Sequence, residues 1–285
     1  GAVLMRYNRP GLDIASHALL IVGCALFFLP VWIAFSASTH EMGDLYSNVA
    51  PVWIGEAGLD NYRQLLADPV SSLGADVMTL LFNSMLMALG IAIGKIIISV
   101  LAAYAIVFFE FRFRKLCFWL IFITLMLPVE VRILPTFKVV ADLNMLDSYA
   151  GLILPLIASA TATFLLRQFY LTIPSELVEA ARIDGAGPWR FLKDILLPLS
   201  KTNIAALFVI MFIYGWNQYL WPLLITTDAD YLTIVVSLKR MLTTGDGLVP
   251  WQDVTATTLL AMGPPVLVIL FMQRYFIKGL VDSEK

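Results

Sequence analysis

Few residues of this chain have types and spacings that could do chemistry. Gly90-Ile-Ala-Ile-Gly94-Lys95-Ile96 approaches a phosphate-binding loop, but its first gap is one residue short and Ile96 replaces the hydroxyl that would hold magnesium. It also lies inside an apolar run with no strand before it, so the chain is expected to bind no ATP. Read physically, Gly90 and Gly94 leave a groove of small residues where a neighbouring helix can approach closely, and Gly23 offers the same in an earlier run. Lys95 is harder to place. A lysine near the middle of such a run costs about 2.5 to 3.5 kcal/mol on insertion scales, so it must face protein or water and not lipid. Either it lines a pathway for an anionic substrate, or it pairs with a partner helix or backbone carbonyls. Asn83, which opens the same run with Ser84, is grouped with it as a candidate pathway residue.

In Gly215-Trp-Asn-Gln-Tyr-Leu-Trp-Pro222, Asn217 and Gln218 lie between Trp216, Tyr219 and Trp221. Two amides flanked by aromatics suit a hydroxylated ligand, by hydrogen bonding and by stacking on its apolar faces. The same residues equally make an interfacial aromatic belt at the end of a span, which is the favoured reading. His17 and His40 are far apart and lack further donors, so neither a catalytic nor a metal site is expected. Cys24 and Cys117 fall in apolar runs and are expected to be buried, without a disulfide or metal spacing.

A long polar interruption on the inner side runs from Pro174 to Pro198. Ser175 reads as a helix N-cap, with Glu176 and Glu179 near the start, where the helix dipole favours carboxylates. Ala180 and Ala181 give a smooth helical surface. Gly185 tolerates positive φ and supplies a stop, and Pro188 suits the first turn of a second helix. That second helix passes Phe191 and Ile195 and should kink or end at Pro198. A short helix, a sharp turn and a second helix result, with Glu179, Arg182 and Asp184 available to a partner. A plain connector would need neither this length nor this turn chemistry.

The elements that must position these residues are membrane spans. Of the 285 residues, 60% are hydrophobic and only 14% charged, and the mean hydropathy is +0.83. That is the composition of a membrane protein. The net charge of -2, without a Lys/Arg stripe interleaved with aromatics, excludes a nucleic-acid partner. Six stretches reach the length of about 20 residues that a bilayer requires: approximately 14–35, 78–109, 115–134, 148–171, 203–225 and 254–276. The first is longer than a signal-peptide core and reads as a retained anchor, although Ala34-Phe-Ser36 mimics a cleavage site. With the N-terminus inside, thirteen of the 19 Lys and Arg residues fall on the cytoplasmic side, so both termini are expected there. The fold expected is all-α, a single polytopic membrane domain over 1–285 without a clear internal repeat.

The outer loops differ. The first, about 36–77, carries Gly43, Pro51, Gly55, Gly58 and Pro69 and should form short helices or turns. The second, about 136–147, is short, and Pro128 and Pro135 suggest an irregular end to the span before it. The third, about 226–253, contains Thr243-Thr244-Gly245-Asp246-Gly247, a turn-rich tip that either reaches something outside the membrane or simply connects two spans.

Glu179-Ala180-Ala181, Gly185 and Ile195-Leu-Leu-Pro198, in that register, resemble the EAA loop of permease subunits in bacterial ATP-binding-cassette importers. Leu143-Asn-Met-Leu-Asp-Ser-Tyr-Ala-Gly-Leu-Ile-Leu-Pro155 and Trp216-Asn-Gln-Tyr-Leu-Trp-Pro222 are similar to the sugar-uptake branch of that family. Within the branch, Phe122-Ile-Thr-Leu-Met-Leu-Pro-Val-Glu-Val-Arg132 and the ending Gly279-Leu-Val-Asp-Ser-Glu-Lys285 look most like permeases for sn-glycerol-3-phosphate. The resemblance implies a subunit of the bacterial inner membrane with no catalytic residues and no cofactor of its own. Glu179, Ala180, Ala181, Asp184 and Gly185 would form or shape a coupling helix docked on an ATPase dimer, with Ile195 and Pro198 setting the helix that follows. That dimer would bind ATP and magnesium, and its closure would switch the pathway from inward-facing to outward-facing. The other implied partners are a second, homologous permease and an extracytoplasmic binding protein, the latter met by the turn at Thr243 to Gly247. The tail after Lys278 would approach the ATPase. Lys95, Asn83, Trp216, Asn217 and Gln218 would serve sn-glycerol-3-phosphate or glycerophosphodiesters. A neutral sugar as cargo, or an autonomous secondary transporter, are the alternatives. Inverted repeats, which the latter would be expected to show, are not visible in the sequence.

Overall fold

The computed structural model describes residues 10–47, 51–68, 74–124, 127, 129–243 and 248–282. Thr244, Gly245, Asp246 and Gly247 of the candidate binding-protein contact therefore lie outside the described residues, as do Arg6 and Arg9 before the first apolar run and the last three residues of the tail. The described residues form helices joined by turns. The chain divides into two units, one of residues 1–68 and 241–260, the other of 69–240 and 261–285.

In the first unit, helix α1 (Pro10–Ser38) is apolar along its whole length, and none of its most apolar window is buried. A helix apolar on every face needs lipid or a protein partner around it. Cys24, expected to be buried, is exposed on this helix, and nothing lies within contact of a Cβ placed at Gly23, so that glycine serves no close packing here. The two histidines are local: His17 Nδ1 lies 2.6 Å from the carbonyl of Asp13 and His40 Nδ1 lies 2.9 Å from that of Ser36. The expected short helices follow as α2 (Met42–Ser47) and α3 (Asp60–Ala67). Asn61 fixes α3 to the end of α1, its amide donating to the carbonyls of Ser38 and His40, each at 2.9 Å.

The second unit is built on α4 (Val77–Phe108), the longest of its apolar helices, started by Asp76, whose carboxylate accepts from the Thr79 amide at 2.9 Å. The expected groove is present. A Cβ at Gly90 would meet Ile153 Cδ1 at 2.7 Å, and one at Gly94 would meet Ile157 Cγ2 at 2.5 Å, so the segment of α7 (Tyr149–Ile153) and the turn after it lies directly against these glycines. Gly94→Leu is expected to destabilise by about 1–3 kcal/mol through overpacking. Thermal unfolding of the assembled complex checks this, and an unchanged midpoint would mean that the contact is not tight.

The third apolar stretch departs from expectation. Instead of one span it supplies two helices, α5 (Arg114–Ile123) and α6 (Val129–Asp142). Helix α6 begins at Val129 and runs through Pro135; residues 125, 126 and 128, between the two helices, lie outside the described residues. Physically, the residues before a proline are pushed out of helical φ/ψ, whereas a single proline inside a helix is tolerated with a kink. The fourth stretch is also divided, α7 and its 3₁₀ continuation meeting α8 (Ala160–Tyr170) at 46°. Among the described residues three helices are long and apolar enough to cross a membrane, or up to five spans if each bent pair counts as one. Met87, Ile91, Ile133, Val140, Leu152, Trp221 and Ile225 pack as one buried core on α4, α6, α7 and a later helix.

Candidate functional site

The polar interruption folds as α9 (Ser175–Ile183) and α10 (Pro188–Leu199). Pro174, not Ser175, occupies the N-cap, with φ −60° and ψ 140°, and no side chain caps the helix. Proline's fixed φ already directs the chain into the first turn. At the other end, Gly185 adopts φ +72°. Its amide donates to the Arg182 carbonyl at 3.0 Å, and the Ala186 amide donates to the Ala181 carbonyl at 2.9 Å. These two bonds are the Schellman closure of a helix on a left-handed residue. Pro188 is the first residue of α10, as its φ favours. The helix widens to π geometry over Leu192–Leu196, just before Pro198, whose ring cannot fit a regular turn there. Helix α10 meets α11 (Lys201–Trp216) at 74°.

Burial sorts the residues of this loop. Ala181 faces inward, while Glu179, Ala180, Arg182, Asp184, Gly185 and Pro198 are exposed and Ile195 is half-buried. Two large apolar side chains also project outward, Ile183 at 86% and Trp189 at 70% exposure. Exposed apolar groups of this size on a polar loop fit a protein partner. The Arg190–Asp194 pair at 3.6 Å is exposed on both sides and adds little.

An aromatic cluster and one hydrogen bond hold the loop to the spans. Near the end of α4 the Tyr104 hydroxyl donates to the Pro188 carbonyl at 2.7 Å. Phe191 packs edge-on against Phe108 with centroids 5.4 Å apart, and Phe108 lies 6.0 Å from Tyr170. Tyr104 also meets Phe109 edge-on at 5.1 Å. A pocket of about 480 Å³ opens beside this cluster, lined among others by Ala181, Arg182, Glu110 and Arg114. The only hint in the sequence was the i, i+4 spacing of Tyr104 and Phe108 at the last turns of a span. Tyr104→Phe keeps the rings and removes the hydrogen bond, so it is expected to loosen the loop by about 1 kcal/mol. Faster hydrogen exchange of α10 amides reads this directly, and unchanged exchange would contradict it.

Within the spans, Lys95 is buried, with Nζ 3.6 Å from the ring centroid of Tyr214 on α11. No carboxylate pairs with it among the described residues; the charge whose field reaches it is the like charge of Arg132 on α6. Gln218 sits beside Tyr214, its Nε2 donating to the Tyr214 carbonyl at 3.1 Å, and Asn217 is exposed. Tyr214 thus meets Lys95 through its ring and Gln218 through its backbone carbonyl. Trp216 is not among them, being buried and stacked on Phe212 at 5.9 Å. Trp221, on α12 (Leu220–Ile225), is also buried and donates to the Gly151 carbonyl at 3.1 Å. These two tryptophans are core residues and not an interfacial belt.

Asn83 is fully committed elsewhere. Its Nδ2 donates to the carbonyls of Asp230 at 2.7 Å and Leu232 at 2.9 Å, and its Oδ1 accepts from the Tyr149 hydroxyl at 2.8 Å. With the Ile234 amide bonded to Ser84 Oγ at 2.8 Å, α4 anchors the loop that leads into α13 (Ile234–Leu242). Asp147 braces the other end of that loop, accepting from the Thr227 amide and hydroxyl, each at 2.6 Å, and from the Asp228 amide at 2.9 Å. Partial burial raises the Asp147 pKa, yet these bonds outweigh it and hold the carboxyl below its ordinary value of 3.8. A depressed carboxylate pKa stabilises the fold above the unfolded value and ceases to do so as pH falls through the folded value. Protection of the Thr227 and Asp228 amides from exchange is therefore expected at neutral pH and lost on acidification below about 4. Protection that survives at lower pH would contradict the bracing role.

Residues 95–282 match the family described as binding-protein-dependent transport system inner membrane component. The chain belongs to that family. As an inner membrane component it is a multi-pass permease subunit of a transporter and not an enzyme. It is 57% identical over 279 residues to the sn-glycerol-3-phosphate transport system permease protein UgpE of Agrobacterium fabrum, covering 98% of this chain and 99% of that one. The proteins of the same description from Brucella melitensis and Escherichia coli O157:H7 are each 56% identical, at 98% and 99% coverage. The fold is shared with a bacterial ABC transporter involved in import of the acidic polysaccharide alginate. The TM-score is 0.79 at 22% identity, over 93% of this chain and 96% of the other. The family match takes in both Lys95 and the Glu179–Pro198 loop.

Proposed function

We propose that this chain is one of two membrane-spanning subunits of a binding-protein-dependent importer for sn-glycerol-3-phosphate and glycerophosphodiesters in the bacterial cytoplasmic membrane. The observation that carries the cargo assignment is identity of 57% over almost the whole length to a permease named for that substrate. Lys95 supports it independently. A buried cation on an aromatic ring, with a second cation in reach of its field and no carboxylate paired with it among the described residues, is complemented by a phosphate ester.

In this reading six spans, α1, α4, α5 with α6, α7 with α8, α11 with α12, and the final helix α14 (Trp251–Asp282), leave both termini in the cytoplasm. Helices α9 and α10 dock on one subunit of an ATPase dimer, which holds ATP and magnesium and hydrolyses the nucleotide. Ile183 and Trp189 supply the apolar contact, and Glu179, Asp184 and Gly185 its polar rim and turn. Motion of α10 reaches α4 through Pro188, Phe191, Tyr104 and Phe108. Lys95 lies nine residues earlier on that helix, about 14 Å at 1.5 Å per residue. The residues that hold the coupling loop and the cargo-binding cation are thus on one helix. A second, homologous permease completes the pathway, and a binding protein outside, in contact with the segment from Thr243 to Gly247, delivers the cargo.

Restoring the chain to cells that lack it tests the proposal. Uptake of sn-glycerol-3-phosphate should return while maltodextrin uptake stays unchanged. Restored maltodextrin uptake without sn-glycerol-3-phosphate uptake would favour the neutral-sugar alternative.

A further inference from the structure

A pocket of about 300 Å³ opens where the last turn of α4, the start of α5 and the last turn of α8 meet. Arg114, Lys115 and Arg167 line it, and no carboxylate does. None of the three is in an ion pair among the described residues. The guanidinium carbon of Arg167 lies 4.0 Å from the Phe118 ring centroid, and its Nε is buried without an acceptor. Buried donors are normally satisfied, so an acceptor-rich group is the missing partner that this chemistry calls for.

The rest of the wall narrows the class of ligand. Phe118 and Trp119 line the same pocket, and from it Leu116, Trp119, Leu120 and Ile123 continue along one side of α5 at helical spacing. Each of these four is more than half exposed, between 51% and 57%. A free phosphate or a nucleotide would leave that stripe bare, whereas an acyl chain would cover it. Basic clusters where spans leave the cytoplasmic side attract anionic lipid headgroups, and tryptophan favours the same depth.

We propose that this pocket binds the headgroup of an anionic phospholipid, its phosphate held by Arg114, Lys115 and Arg167 and one acyl chain lying along the α5 stripe. The site is separate from Lys95 and does not depend on which cargo the transporter carries.

The test uses the complex purified with its other subunits in phosphatidylcholine nanodiscs, supplied with phosphatidylglycerol that bears a photoreactive acyl chain. Labelling is expected on the peptide containing Leu116 to Ile123. It should fall roughly fivefold for each cation removed, in K115Q, where the side chain is exposed, and in R114Q, where it is half-buried. Inorganic phosphate at millimolar concentration should displace none of it. Equal labelling by a phosphatidylcholine probe, or labelling unchanged in both variants, would overturn the proposal. So would displacement by phosphate alone, which would mark a free-anion site, or absence of α5 labelling because another subunit covers it.

Discussion

Replacing Lys95 with methionine lowers uptake of sn-glycerol-3-phosphate by one to two powers of ten while the subunits still assemble. The size follows from losing one charge-assisted hydrogen bond to a phosphate, about 1.5–3 kcal/mol. Methionine keeps most of the volume and a favourable contact with the Tyr214 ring, so packing between α4 and α11 is conserved. Removing an unmatched buried charge also relieves the complex, and its thermal stability should hold or rise. Uptake kinetics indistinguishable from the parent would reduce Lys95 to a structural residue. Reduced uptake together with failed assembly would point the same way.

The second large effect is at Gly185. Its Cβ position meets nothing within 4 Å, so a substitution there fails through backbone conformation and not through crowding. At φ +72° a β-branched residue is strained by about 1–2 kcal/mol, and relieving that strain opens the Schellman closure that sets the angle between α9 and α10. Gly185→Val should therefore leave membrane insertion intact and abolish transport, with ATP hydrolysis no longer stimulated by the loaded binding protein. Gly185→Asn, which tolerates the left-handed region, should retain most of both. Equal loss in the two variants would mean that the glycine is needed for close contact with a partner, and normal transport in Gly185→Val would remove the turn from the coupling path.

How much of this was legible in the sequence depends on whether the signal was local. The stop at Gly185, the restart at Pro188 and the bend after Pro198 are consequences of single residues, and they stand where the residues predict. The groove at Gly90 and Gly94 is equally local, and Ile153 and Ile157 occupy it. Burial was not legible. Trp216 and Trp221 have the composition of an interfacial belt, and only tertiary packing decides that both lie in the core. Asn83 carries the same amide as Asn217, yet three hydrogen bonds with distant segments commit it to holding the loop before α13. The aromatic clamp joining Tyr104, Phe108 and Phe191 spans more than 80 residues of sequence, so no pattern along the chain could announce it. Hydropathy averages over a window, so it joins α5 and α6 into one apolar stretch. Ser175 was misplaced as a cap because a serine after a proline satisfies the composition of a cap while the proline supplies its geometry.

The account rests on a phosphate-bearing cargo coupled through this chain to ATP hydrolysis. The direct measurement is the ATPase rate of the full complex, reconstituted in liposomes with its binding protein, with sn-glycerol-3-phosphate or maltodextrin as the only cargo. Stimulation by sn-glycerol-3-phosphate, absent with maltodextrin and lost in Gly185→Val, is the predicted result. Stimulation by maltodextrin with none by sn-glycerol-3-phosphate would contradict it.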